Sequence, residues 1–171
     1  MKTTTRVMLA ALLCTAAVAC SKKVKEEAPV DTGPSTGTVA PTAPTAAGAY
    51  TPADLDSDAC LRQRVVYFDL DQDSLRPEFQ AIVSCHAKYL RDRTSSRISL
   101  EGHADERGSR EYNQGLGERR GNGVSSALQA NGGSAAQLAV VSYGEERPVC
   151  TESNEDCWAR NRRVEIIYTA R

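Results

Sequence analysis

Residues 60–171 of this sequence predict an α/β fold in which helices pack on one face of a single sheet of about four strands. Three observations predict it. Short apolar runs with strand periodicity recur at 64–69, 98–101, 138–142 and 164–168. Two longer segments between them, opening near Pro77 and Ser109, repeat apolar residues at helical spacing. Strands separated by helical segments imply right-handed crossovers, and those lay the helices against the sheet.

The first strand is Arg64-Val65-Val66-Tyr67-Phe68-Asp69, and it runs out into alternating acids, Asp69, Asp71 and Asp73. Those acids lack the glycine and closing glutamate of a calcium loop, so Asp71 and Asp73 are read as turn residues. Pro77 opens the first helix, whose buried face is Phe79, Ile82, Val83, His86 and Leu90. His86 within that stripe is expected to be packed and hydrogen-bonded, not a ligand. The second strand, Ile98 to Glu101, leaves the sheet through Gly102, and Gly108-Ser109 supplies a break and an N-cap. The second helix is expected from Ser109 to Ala130, with Tyr112, Leu116, Val124 and Leu128 as its buried stripe. It carries Gly115, Gly117, Gly121 and Gly123, each costing up to about 1 kcal/mol against alanine, which close packing on the sheet could justify in part. Asn131-Gly132-Gly133 ends it. A strand from Leu138 to Ser142, a loop holding Pro148, Cys150 and Cys157, and a last strand through Val164, Ile166 and Tyr168 complete the domain.

Arg120 lies inside the stripe of the second helix, with Asn113 on the same face. A buried cation without a partner costs several kcal/mol, so Arg120 needs an anion, and Asp105 in the preceding loop is the nearest candidate. Two readings stand. The pair is a structural ion bridge locking loop to helix, or it is a split site for one zwitterionic ligand. In the second case Asp105 takes an ammonium and the Arg120 fork a carboxylate.

Several motifs carry a family resemblance. They are Val-Tyr-Phe-Asp at 66–69, Glu-Gly-His-Ala-Asp-Glu-Arg-Gly at 101–108, Tyr-Asn-Gln-Gly-Leu-Gly-Glu-Arg-Arg at 112–120, Val-Ser-Tyr-Gly at 141–144 and Asn-Arg-Arg-Val-Glu at 161–165. In this order they resemble an OmpA-like peptidoglycan-binding domain. The resemblance implies a two-layer α/β (α+β) sandwich with a mixed sheet. It implies that Asp105 and Arg120 hold the diaminopimelate of a peptidoglycan stem peptide. The wider ligand set it implies is Asp69, His103, Ala104, Asn113, Leu116 and Arg163, with His103 shaping the loop. Arg162 and Arg163 either steer anionic stem peptides or solvate a strand end. Within the family, the resemblance is to lipoproteins that act with Tol-system proteins in envelope integrity and cell division. The alternative is a lipoprotein serving as a protein-interaction module outside that system.

The N-terminal part reads differently. Lys2 and Arg6 precede an apolar run from Val7 to Ala19, too short to span a bilayer and suited to a signal peptide over 1–19. Ala17-Val18-Ala19-Cys20 resembles a bacterial lipobox with Cys20 as the lipidated residue, and acylation there would anchor the chain stably. Ser21 after the cysteine resembles an outer-membrane sorting signal. The expected location is therefore the outer membrane, with the head domain in the periplasm. Lys22, Lys23 and Lys25 would lie near headgroups. The remainder of 20–59 is dominated by Ala, Thr, Pro and Gly, and is expected to be a disordered tether. Such a segment averages roughly 35 Å as coil and reaches about 120 Å when extended.

A net charge of −1 argues against nucleic acid as a partner. Of six cysteines, Cys60, Cys85, Cys150 and Cys157 remain beyond the leader and the anchor, which permits three pairings. The favoured one is Cys60–Cys85, pinning the entry of the first strand to the first helix, with Cys150–Cys157 closing the late loop. No Cys-x-x-Cys occurs and both histidines are isolated, so neither a metal nor a cofactor is expected. Gly-x-Ser-x-Gly and His-Glu-x-x-His are missing too, and no catalytic residue is assigned.

Overall fold

The computed structural model describes residues 48–171. The expected leader 1–19, the lipidated Cys20 and the tether up to residue 47 lie outside the described residues. The elements are α1 (Asp54–Ser57), β1 (Val65–Tyr67), α2 (Gln80–Asp92), β2 (Arg97–His103), α3 (Arg110–Ala130), β3 (Leu138–Gly144), α4 (Glu155–Asn161) and β4 (Arg163–Ala170). A 3-10 turn at Pro77–Phe79 leads into α2. The strands form one mixed sheet in the order β1-β4-β2-β3. β2 runs parallel to β3 and antiparallel to β4, and β4 is antiparallel to β1. The core lies between this sheet and the two long helices, with Leu100, Val164 and Ile166 facing Val83, Val124 and Leu128. This is the expected two-layer arrangement.

Helix α3 sits unusually close to the strand that feeds the loop at 104–108. A Cβ on Gly102 would lie 2.0 Å from the Gly117 carbonyl oxygen, and one on Gly117 would meet the Gly102 carbonyl oxygen at 2.9 Å. Only two facing glycines permit this backbone-to-backbone contact. It brings Arg120, one turn further on, beneath the end of β2. Gly121 and Gly123 are similarly crowded, against Val140 and the Asp73 carbonyl, whereas nothing around Gly115 calls for a glycine. Ser109 caps the helix as expected, its hydroxyl accepting from the Tyr112 amide.

Four expectations need correction. The folded unit begins before residue 60, because Tyr50 and Leu55 are buried with Leu61, Cys85 and Tyr89 in a second apolar cluster. Tyr50, Leu55 and Leu61 are too sparse in sequence to show a period, and they acquire a core only by docking on Cys85 and Tyr89 of α2. The late loop contains α4, a short charged helix capped by the Asn154 side chain, which accepts the Cys157 amide at 2.9 Å. Tyr112 is 45% exposed and belongs to the helix surface, not to its stripe. β1 is shorter than the expected strand, whereas β2 and β3 run on to His103 and Gly144.

Both favoured disulfides are formed, Cys60–Cys85 and Cys150–Cys157. His86 is fully buried, with Nε2 2.9 Å from the Gln63 carbonyl and Nδ1 2.7 Å from the Tyr168 hydroxyl. A carbonyl only accepts, so Nε2 carries the proton and Nδ1 accepts from the tyrosine.

Candidate ligand-binding site

A cleft of about 240 Å³ opens where the end of β2, the first turns of α3 and the 69–73 turn meet. Leu70, Leu116 and Tyr112 give it apolar walls, and Asp105, Asn113, Arg107, Arg120 and Arg162 give it polar ones.

Arg120 is fully buried, yet it has no ion pair among the described residues. Its Nε donates to the Gln72 carbonyl at 2.8 Å, Nη1 to the His103 carbonyl at 2.9 Å and Nη2 to the Asp69 carbonyl at 3.1 Å. The Phe68 ring lies 5.3 Å from the guanidinium carbon. Of the two readings, the direct Asp105–Arg120 bridge is not formed, and backbone carbonyls take its place. Strand and turn ends present backbone acceptors with no hydrogen-bonded neighbour, and a planar five-donor fork can gather three of them. Burial and the repulsion of Arg162 push Arg120 down to about 10, partly offset by Asp105, Asp73 and Asp71, so it stays a cation at neutral pH. Two of its five N–H groups are left over, and a compensating anion is missing.

Asp105 is in the opposite condition. Its Oδ1 accepts from the Arg107 amide at 3.0 Å and Nε at 3.1 Å, and its Oδ2 from Arg107 Nη2 at 2.7 Å and Arg162 Nη1 at 3.1 Å. Burial acts to raise its pKa, but these two arginines outweigh it and hold the carboxyl below the ordinary range. Asn113 donates to the Asp105 carbonyl at 3.0 Å and to Glu145, tying loop to helix from the other side.

The structure brings Asp105, Asn113, Leu116 and Arg120 together in the cleft. It places the others nearby. Asp69 turns its carboxylate to Arg76 at 3.2 Å and offers Arg120 only its carbonyl. His103 stacks on Tyr143 with ring centroids 5.5 Å apart, and it too contributes its carbonyl. Burial and the neighbouring Arg163 push its imidazole down to about 4. Ala104 faces a neighbouring groove with Glu106 and Trp158. Arg163 is buried against Glu165 at 2.7 Å and the Arg147 carbonyl, and does not line the cleft. Arg162 does line it, so neither arginine merely solvates a strand end. Sequence reasoning missed Arg107, whose Asp-x-Arg spacing within the loop was the available signal, and the wall residues Leu70 and Tyr112, which carried none.

A cleft at strand ends, holding one buried unmatched cation beside one buried carboxylate, defines a small α/β ligand-binding module. The chain belongs to the OmpA family, whose family description matches residues 67–162. It is 50% identical over 113 residues to the peptidoglycan-associated lipoprotein of Pseudomonas aeruginosa, spanning 66% of this chain and 67% of that protein. It is 34% identical over 168 residues to the peptidoglycan-associated lipoprotein of Pasteurella multocida, spanning 98% of this chain and 100% of that one. The crystal structure of the peptidoglycan-associated lipoprotein from Burkholderia pseudomallei matches with a TM-score of 0.66 at 40% identity, over 68% of this chain and 98% of that chain.

Proposed function

We propose that this chain is an outer-membrane lipoprotein that grips peptidoglycan non-covalently through the diaminopimelate of the stem peptide. In this reading it ties the outer membrane to the cell wall and works with Tol-system proteins in envelope integrity and cell division. The observation that carries the reading is Arg120, a fully buried guanidinium held by three carbonyls and no carboxylate, in the same cleft as Asp105. A bidentate ligand carboxylate would supply the missing anion. The ammonium on the same carbon would take the place of an arginine donor at Asp105, whose four lone-pair sites Arg107 and Arg162 fill in the free protein. The names of the relatives favour association with peptidoglycan, and the Cys20 lipobox favours the same anchorage.

The experiment is a pull-down of the full chain on purified sacculi, competed by soluble stem peptides. Peptides with meso-diaminopimelate compete, and those with lysine at that position, lacking the side-chain carboxylate, compete poorly. Equal competition by both peptides would remove Arg120 from the ligand. Anchorage is checked by Cys20→Ser, which releases the protein from membranes. Retention of that variant on salt-washed membranes would count against lipidation.

A further inference from the structure

We propose that the Cys150–Cys157 disulfide is a positioning element of the ligand cleft, because it fixes helix α4 and α4 sets the arginines that hold Asp105. The proposal rests on the ligand-binding reading of the cleft given above.

All four hydrogen bonds to the Asp105 carboxylate come from Arg107 and Arg162. Both arginines lean on α4. Glu155, the first residue of that helix, accepts Arg162 Nη2 at 2.7 Å and Arg107 Nη1 at 3.4 Å. Trp158, in the middle of α4, places its ring 4.1 Å from the Arg107 guanidinium carbon and donates Nε1–H to Glu106 at 2.9 Å. Arg162 itself follows directly on the last residue of α4, and its Nε reaches the Phe68 carbonyl at 3.1 Å. One seven-residue helix therefore supplies a carboxylate, an aromatic platform and the root of an arginine to the loop that presents Asp105.

A helix of that length does not persist by itself in water, since nucleation costs more than two turns return. Beyond its Asn154 cap, what holds α4 converges on Cys150. At one end the disulfide joins Cys150 to Cys157, which is buried. At the other end Asn161 Oδ1 accepts the Cys150 amide at 3.2 Å and the Val149 amide at 2.9 Å, and its Nδ2 donates to the Cys150 carbonyl at 2.7 Å. Covalent bridge and amide staple close the helix into a box. The Glu155 side chain is 61% exposed, so its ion pairs would be weak on a fraying first turn. Fixing that turn removes the ordering cost that otherwise offsets them. The second disulfide, Cys60–Cys85, lies in the N-terminal apolar cluster and neither cysteine lines the cleft.

The test compares Cys150→Ser/Cys157→Ser with Cys60→Ser/Cys85→Ser in the full chain. Three quantities are read: melting temperature, affinity for L-Ala-γ-D-Glu-meso-diaminopimelate, and emission of Trp158, the one tryptophan of the protein. Removing Cys150–Cys157 is expected to red-shift Trp158 and to weaken the peptide about fivefold, the low end of coupling between linked sites. Removing Cys60–Cys85 is expected to lower the melting temperature and leave emission and affinity alone. Glu155→Gln by itself weakens binding, and adding it to Cys150→Ser/Cys157→Ser brings no further loss, because both act through the same arginines. Glu155→Gln keeps the bridge, so it decides the matter even if the serine variant fails to fold. Wild-type affinity in Glu155→Gln, or full additivity of the two changes, overturns the proposal. If the unaltered chain does not bind the peptide, the ligand reading fails instead. An unshifted Trp158 in the serine variant then overturns the positioning role separately.

Discussion

The N-terminal cluster and the cleft both bury polar groups, but in opposite electrical states. In the cluster, His86 is buried between Tyr168 and Gln63, and burial pushes its pKa down to about 4, so it is neutral at physiological pH with both nitrogens hydrogen-bonded. Its partner Tyr168 packs against the cluster of Leu55, Leu61, Tyr89 and the Cys60–Cys85 bridge. In the cleft, Arg120 and Asp105 are also buried and remain charged. Neutral buried groups with full hydrogen bonding are what a chain uses to hold itself together. Buried charges, and above all a cation with no anion, stabilise poorly and are retained where a ligand completes them. The difference separates the part of the molecule built for stability from the part built for recognition.

The largest test of that separation is Leu55→Ala. Truncating a fully buried leucine in the N-terminal cluster should lower unfolding free energy by about 2–5 kcal/mol in chemical denaturation while sacculus binding of the folded protein is unchanged. A loss below half a kcal/mol, on the scale of exposed sites, would return residues 50–59 to the tether.

Acid should act next. His86 titrates near 4 in the fold against 6.5 as the ordinary value, so the unfolded chain takes the proton first. The neutral buried imidazole thus contributes its full stability above pH 6.5, and that contribution is lost as pH falls from 6.5 towards 4, about 3 kcal/mol in all. His103 adds a loss of the same sign from the cleft side. His86→Gln should flatten the decline in melting temperature over that window without removing it. An unchanged pH profile would mean His86 is not held neutral.

Changing Arg120 to Lys keeps the charge and removes the fork. A lysine cannot reach three carbonyls and a carboxylate together, so peptide affinity should fall by about 1.5–3 kcal/mol, ten- to over a hundredfold. Isothermal titration with the diaminopimelate peptide reads this directly, and wild-type affinity would show that point charge alone suffices. Tyr112→Phe should do least. Its hydroxyl meets only Asp71 at the exposed rim, so stability should stay within about 0.5 kcal/mol of wild type. A larger change would make the Tyr112–Asp71 contact part of what holds the fold.

The sequence by itself determined where the strands and the two long helices fall and the capping serine, and it left three pairings of the four cysteines open with one favoured. These depend on periodicity and on short separations along the chain, which are local properties. It also singled out Asp105 and Arg120, because a charge inside an apolar stripe is conspicuous wherever the stripe goes. Only the tertiary structure decided which charge meets which. Arg162, 57 residues from Asp105, reaches it because β4 enters the sheet beside β2. Arg120 finds carbonyls because Gly102 and Gly117 let helix and strand touch. The short elements α1 and α4 followed the same rule. Neither has enough residues to declare a period, and each exists through what it packs against or is bonded to, Leu55 on Leu61 and Tyr89, and Cys157 on Cys150.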